Sequence, residues 1–147
     1  MAVKTYSIVA KTTPDAAYAY LADLTKHPEW SPDDMKMVAE TPGVVTVGSR
    51  YKAVGNLVGR PNPSVVEIIG LEPGRLVAFT STDGNSKWQH EFTLTPEGGT
   101  TRINRKVTPL KAPPGFGILF AIFHPFIIGP GNMKSMGMLR DRLEGRS

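Results

Sequence analysis

The stretch APPGFGILFAIFHPFIIGPGNMKSMGMLRDRLE, residues 112–144, decides the fold of this chain. Its first part, Phe116 to Ile128, is almost wholly apolar, which does not suit a helix with one side in water. After Gly129-Pro130-Gly131 the pattern becomes that of a surface helix, with apolar side chains at helical spacing at Met133, Met136, Leu139 and Leu143. The apolar part needs a large partner that wraps it. We therefore predict a sheet closed around a C-terminal helix, with a cavity between the two.

The rest of the chain supplies strands for such a sheet. Lys4–Lys11 places Tyr6, Ile8 and Ala10 on one side, as an opening strand does. Thr13 is a candidate N-cap with Pro14 in the first turn, which predicts a short helix to about Asp23. A period of two then predicts six more strands: Met35–Thr41, Ser49–Leu57, Ser64–Glu72, Leu76–Asp83, Lys87–Thr95 and Thr101–Pro109.

Short turns separate the predicted strands and make neighbouring strands antiparallel. They are predicted at Pro42-Gly43, Gly59–Pro63, Pro73-Gly74, Gly84-Asn85 and Gly98-Gly99. One strand, two short helices, six strands and a long helix is the order of an α+β protein. With 147 residues and no linker-like tract, a single domain over residues 1–147 is the simplest expectation.

Composition and charge exclude several functional classes. The chain has no cysteine, which excludes disulfides and thiolate metal sites. Its three histidines show no metal-ligand spacing, and no nucleotide-binding glycine motif is present, so we expect neither a metal nor another cofactor. The formal net charge of +4 is spread along the chain, which does not favour nucleic acid as a partner.

The predicted location is cytoplasmic, without an integral membrane segment. Met1–Lys11 lacks the apolar core of a signal peptide. The apolar run that starts at Phe116 is shorter than the roughly 20 residues that a spanning helix needs, and it contains His124-Pro125. A buried helix is therefore the expected structure of this run.

Five short motifs resemble one known family, the polyketide cyclase/dehydrase branch of the START/Bet v 1-like (SRPBCC) superfamily. They are Asp23–Pro32, Gly48–Tyr51, Leu71–Leu76, Gly99–Ile103 and Asn132–Glu144. The resemblance implies a helix-grip fold, with a seven-stranded antiparallel sheet around a long C-terminal helix and short helices after the first strand. It also implies an internal cavity for a small hydrophobic molecule such as a lipid, isoprenoid or polyketide. This chain departs from the family at Pro125 and Gly129-Pro130-Gly131, which should kink the last helix.

Alternation along the strands selects the residues that should line the cavity. Trp88, His90 and Phe92 oppose charged and polar neighbours and should face the helix, and Arg105 shares this face on the next strand. Phe79 is the corresponding residue of the preceding strand, and Tyr51 could offer a ring and a hydroxyl. Phe120 and His124 of the apolar run complete the predicted ligand-binding set.

The predicted burial of Arg105 raises the question of its partner. A buried guanidinium without compensation is costly, so it needs a carboxylate, backbone carbonyls, water in a cavity or a ligand anion. A bulge that turns Arg105 outward is a further alternative. His90 is either a core histidine bonded to a carbonyl or a group that meets a ligand, with an ordinary pKa of about 6.5.

Three functions fit this pattern. The first is the binding of a small, largely hydrophobic molecule, in which Arg105, His90 and Tyr51 orient a polar end. The second is a cyclase or dehydratase, in which His90 moves protons and Arg105 stabilises an enolate. The third is a protein-interaction module whose cavity is filled by its own side chains. No catalytic residue, ligand identity or oligomeric state follows from the sequence.

Overall fold

Seven strands and three helical segments make up the part of the chain that the computed structural model describes: residues 3–31, 35–57, 60–84, 86–111 and 129–145. The helical segments are α1 (Pro14–Ala22), a 3₁₀ helix (Leu24–Trp30) and α2 (Gly129–Leu143). The strands are β1 (Lys4–Ala10), β2 (Lys36–Ala39), β3 (Arg50–Leu57), β4 (Arg60–Glu72), β5 (Leu76–Thr82), β6 (Lys87–Glu97) and β7 (Thr100–Lys111).

The strands form one sheet in the order β1-β7-β6-β5-β4-β3-β2, and every neighbouring pair is antiparallel. Strands β2 to β7 follow chain order, and from β3 onward each strand joins the next through a short connection. The first strand instead pairs with the last, with Tyr6 opposite Arg105 and Ile8 opposite Ile103. The predicted seven-stranded antiparallel sheet of an α+β fold with a C-terminal helix is confirmed.

One predicted turn is wrong. Gly59–Pro63 was expected to be a loop, but β4 begins at Arg60, and Pro61 and Pro63 pair with Asn56 and Val54 of β3. Prolines are tolerated here because this half of β4 extends past the end of β5, whose first pairing with β4 is Val65 with Thr82. The connection between β3 and β4 is accordingly much shorter than predicted.

The helices after β1 follow local capping rules. The Thr13 hydroxyl accepts a hydrogen bond from the Ala16 N–H at 3.1 Å, so Thr13 caps α1 as predicted, and Pro14 opens the helix. The Asp23 carboxylate accepts from the Thr25 N–H at 3.2 Å and starts the 3₁₀ helix. This tighter helix buries three side chains, those of Leu24, His27 and Trp30.

Helix α2 packs against β1 and the 3₁₀ helix. It buries Ser135, Met136 and Leu139, and the Ser135 hydroxyl donates a 2.8 Å hydrogen bond to the Trp30 carbonyl. The predicted apolar face was wrong at Met133, which is 47% exposed, because the buried face instead passes through Ser135. Gly129-Pro130-Gly131 lies in the first turn of α2, where proline is tolerated. The predicted kink at Pro125 and the apolar run to Ile128 lie outside the described residues.

The core lies between the inner face of the sheet and the three helical segments. Its largest fully buried side chains include Trp30, Phe92, Leu24 and Ile68. Among the described residues, no helix is long and apolar enough to cross a membrane.

Candidate functional site

Two cross-strand rows on the inner face of the sheet bring the polar core residues together. In one row, Val77 of β5, Phe92 of β6, Arg105 of β7 and Tyr6 of β1 are direct partners. In the next, Phe79, His90 and Val107 are partners. Residues of one row point to the same side of the sheet, so alternation alone carries Arg105 and His90 into the core. Their predicted inward orientation is what the structure shows.

Arg105 is a buried cation held by aromatic rings. Its side chain is only 6% exposed, and its Cζ lies 5.3 Å from the centroid of the Phe92 ring and 5.7 Å from that of Trp30. Both distances are those of cation–π contacts. No carboxylate of the described residues pairs with Arg105, and its Nε is buried without a hydrogen-bond partner. Burial lowers the pKa of Arg105 to about 10, while the nearby Tyr6 hydroxyl opposes the shift.

His90 accepts a hydrogen bond from this arginine. Arg105 Nη2 lies 3.2 Å from His90 Nδ1, and a guanidinium has no acceptor, so Nδ1 must be unprotonated. The proton of the neutral ring is then on Nε2, which is a donor. Burial, followed by the positive charge of Arg105 and then by the neighbouring His27, holds the pKa of His90 well below 6.5. The Phe79 ring stacks on the imidazole with centroids 5.0 Å apart and fixes its plane.

His27 belongs to the same cluster, although it is not among the site residues predicted from the sequence. Its ring stacks on Trp30 with centroids 4.0 Å apart and meets the edge of Phe79 at 6.0 Å. Its Nδ1 is buried without a hydrogen-bond partner, and burial, with a smaller effect of Arg105, lowers the pKa of His27 to about 3. The sequence feature that could have identified His27 is its spacing of three residues from Trp30, because side chains three residues apart lie on the same side of a 3₁₀ helix.

The cluster offers hydrogen-bond donors and a positive charge to an acceptor. Arg105 contributes an unpaired Nε–H, and His90 contributes Nε2–H. Within the described ranges, no group of three or more histidine and carboxylate side chains is placed to hold a metal ion. His90 is a weak base because of its depressed pKa, so the arrangement suits the binding of an anion or carbonyl oxygen better than the abstraction of a proton.

The remaining predicted residues are placed differently. Phe79 and Phe92 lie in the cluster, with their ring centroids 6.0 Å apart. Tyr51 and Trp88 lie in a separate inner row. Tyr51 is partnered with Val66, Val66 with Ser81, and Ser81 with Trp88. Tyr51 is buried on β3, where burial and the Asp23 carboxylate raise its pKa, and the Trp88 Nε1–H donates to the Ser86 hydroxyl at 3.3 Å. Phe120 and His124 lie outside the described residues.

Comparisons with known proteins agree with this fold. A family model described as polyketide cyclase / dehydrase and lipid transport matches residues 1–142. A search of curated proteins gave no match.

Solved structures share the fold at low sequence identity. Protein TTHA0849 from Thermus thermophilus is 16% identical over 98% of each chain, with a TM-score of 0.79. The di-domain ARO/CYC StfQ of the steffimycin biosynthetic pathway is 16% identical over 97% of this chain and 50% of its own, with a TM-score of 0.76. A START superfamily protein from Mycobacterium smegmatis is 11% identical over 97% of each chain, with a TM-score of 0.71. Identities this low show a common fold alone.

Proposed function

The chain belongs to the polyketide cyclase / dehydrase and lipid transport family, and from that premise we propose that it binds a small, largely apolar molecule whose polar end is held by Arg105 and His90. The ligand lies between the inner face of the sheet and the C-terminal part of the chain, and it is polyketide-, lipid- or isoprenoid-like. Its polar end is a carboxylate or carbonyl oxygen, because the cluster presents donors and positive charge.

The observation that carries this proposal is the burial of Arg105 without a carboxylate. A buried charge normally has an ionic partner or a set of acceptors, because desolvation costs several kcal/mol per ion. Among the described residues, Arg105 has only the neutral His90 as a hydrogen-bond acceptor, together with two aromatic faces. A ligand oxygen supplies the missing negative charge, while Phe79, Phe92 and Trp30 favour an apolar body.

A cyclase role for the same cluster draws on the family description and on the structural likeness to StfQ. In that role Arg105 stabilises an enolate oxygen, since a fixed positive charge favours a developing negative one. His90 is poorly suited as the base because its pKa is depressed and its Nδ1 is occupied by Arg105. The geometry therefore supports binding more strongly than proton transfer.

Two probes of equal length test the proposal. We expect decanoate to bind more tightly than 1-decanol in isothermal titration, because only decanoate offers a carboxylate to Arg105. Hydrogen bonds to a charged group contribute about 1.5–3 kcal/mol each, so Arg105→Met should weaken decanoate roughly ten- to a hundredfold. Its effect on 1-decanol should be small. Circular dichroism and thermal unfolding of Arg105→Met, together with the charge-retaining Arg105→Lys, separate loss of binding from loss of folding.

Two positions on the other side of the same strand provide matched controls. Arg102 is bound to Glu97 and Ser7, and Lys106 is exposed. Arg102→Met and Lys106→Met should leave both affinities unchanged. If either change weakens decanoate as strongly as a correctly folded Arg105→Met, or if Arg105→Met has no effect, the proposed site is wrong.

A further inference from the structure

The outer face of the sheet, opposite the Arg105 cluster, carries a groove of about 710 Å³. It crosses β3, β4 and β5 and reaches the start of β6. Val54, Val65, Thr80 and Thr82 are among the residues that line it. Its volume lies in the range of sites for small molecules, roughly 300–1,000 Å³, and is far larger than a single phosphate needs.

A cross-strand row places lysines at both ends of this groove. Lys52 of β3 is partnered with Val65 of β4, Val65 with Thr82 of β5, and Thr82 with Lys87 of β6. Partners in one row share a face of the sheet, so an apolar and a hydroxyl-bearing side chain lie between two cations. Val54, which is 41% exposed, extends the apolar surface beside them.

The positive charge at the β6 end of the row is not balanced. Lys87 is partnered with Lys111 of β7, and like charges in direct opposition repel each other. Neither lysine makes an ion pair with a carboxylate of the described residues. A bound anion would relieve this repulsion.

The carboxylates near the groove are already engaged. Glu67 Oε1 lies 3.6 Å from Arg50 Nη1, and Glu40 Oε1 lies 3.5 Å from Lys52 Nζ. Asp83 Oδ1 accepts hydrogen bonds from the N–H and the hydroxyl of Ser86, at 2.8 and 2.9 Å. Lys52 is already paired with Glu40, so an anion in the groove would meet Lys87 and the Thr82 hydroxyl at the β6 end.

Thr80 gives this groove a polar floor. Its side chain is on the outer face, yet the residue is only 7% exposed, and its partners on the two flanking strands are Glu67 and Gln89. A hydroxyl at the base of a groove fixes the orientation of a ligand oxygen better than a mobile surface side chain does. The arrangement combines an apolar wall, hydroxyl groups and cationic ends.

We propose that this groove is a second binding site, for a soluble organic phosphate with an apolar body, in which Lys87 holds the phosphate and Val65 and Val54 contact the body. Lysine ammonium groups act as point charges for phosphate. The site is independent of the function proposed for the Arg105 cluster. It lies on the opposite face of the sheet and uses different residues.

The test compares three probes: 1-naphthyl phosphate, 1-naphthol and inorganic phosphate. We expect 1-naphthyl phosphate to bind more tightly than either fragment, and its binding to weaken with added salt because the contacts are ionic and exposed. Lys87→Gln should weaken 1-naphthyl phosphate about three- to tenfold and leave 1-naphthol unchanged. Backbone amide shifts in NMR spectra should cluster at Val65, Thr80 and Thr82.

Lys106→Gln is the control, because Lys106 is an exposed lysine on the outer face of β7, away from the groove. The proposal is overturned if Lys106→Gln weakens the probe as much as Lys87→Gln does, or if inorganic phosphate binds as tightly as 1-naphthyl phosphate. It is also overturned if Arg105→Met abolishes the binding of 1-naphthyl phosphate while Lys87→Gln has no effect. In that case the probe occupies the inner cluster, and the function proposed for Arg105 still stands.

Discussion

The Nη2 atom of Arg105 lies 3.2 Å from Nδ1 of His90, and this contact determines which nitrogen of the neutral imidazole carries the proton. The arginine always donates, so His90 is neutral and carries its proton on Nε2. Two inward residues of adjacent strands thus act as one unit, in which burial and a fixed cation keep a histidine uncharged and the cation directs its remaining N–H. A change at Arg105 should therefore be measurable at His90.

Replacing Arg105 should raise the pKa of His90. The guanidinium disfavours a second positive charge nearby, so Arg105→Met removes a repulsion, although burial continues to lower the pKa. In the native protein, the imidazole NMR signals of His90 should not titrate near pH 6.5, and in the variant their midpoint should move upward. Arg102→Met, on the opposite face, should leave the midpoint where it is. An unchanged midpoint in a folded Arg105→Met protein would show that the contact does not control the imidazole.

The free energy of unfolding should fall as the pH drops below 6.5. His27 has a pKa of about 3 in the folded protein and 6.5 in the unfolded chain. Between these values the unfolded chain binds a proton that the folded protein does not, so the contribution of His27 to the free energy of unfolding is fully present above pH 6.5. Below pH 6.5 this contribution declines by about 1.4 kcal/mol for each pH unit. His90 adds to the decline in the same direction.

His27→Phe should therefore flatten this dependence. The phenyl ring keeps the stacking on Trp30, and no hydrogen bond of Nδ1 is lost because that atom has none. Urea unfolding at pH 8 and pH 5 measures the effect. The fall between the two should be smaller in the variant by about 2 kcal/mol. Parallel curves for the two proteins would mean that His27 is not buried in its neutral form.

Ser135→Ala should destabilise the attachment of α2 to the 3₁₀ helix. It removes the buried hydroxyl that donates to the Trp30 carbonyl, and an acceptor left unsatisfied costs about 1–3 kcal/mol. The expected result is a lower midpoint in urea and a change in tryptophan fluorescence. Lys134→Ala is the matched control, because Lys134 is the exposed neighbour on the same helix. Equal stability of both variants would contradict the importance of this hydrogen bond.

Gly74→Ala should cost more than Gly98→Ala. Both glycines have a positive φ, +71° and +53°, which costs an alanine about 1–2 kcal/mol. At Gly74 the added Cβ would also lie 2.7 Å from the Asp15 Oδ1, whereas nothing lies within 4 Å at Gly98. A double-mutant cycle with Asp15→Ala measures the second effect. If Asp15→Ala does not relieve the cost at Gly74, the difference has another origin.

The sequence was most informative where a strict period controls side-chain direction. On β6 and β7 a period of two predicted the inward direction of His90, Phe92 and Arg105, because successive side chains of a regular strand point to opposite faces of the sheet. The same period failed before β4, where Pro61 and Pro63 indicated a turn. Proline breaks a strand only where its missing N–H is needed, and the sequence does not reveal which flank of a strand lies open.

His27 shows why part of the site was not predictable. It stands in a segment that proline interrupts, where neither a helical nor a strand period applies, and its neighbours in space come from β5 and β7. The burial of Ser135 in place of Met133 has a similar cause. A polar side chain that bonds a distant carbonyl follows tertiary contacts, which a hydrophobic pattern does not encode.

The pairing of β1 with β7 has a consequence for the chain as it is synthesised. Lys4 and Val107 are partners in the sheet, yet they stand at opposite ends of the strand-forming part of the sequence. At roughly 5–20 residues per second, a ribosome needs on the order of 5–20 s to make that interval. During this time the strand that carries Tyr6 and Ile8 has no partner in the sheet. Arg105 becomes enclosed only when β1 pairs with β7, which makes the candidate site one of the last parts of the molecule to form.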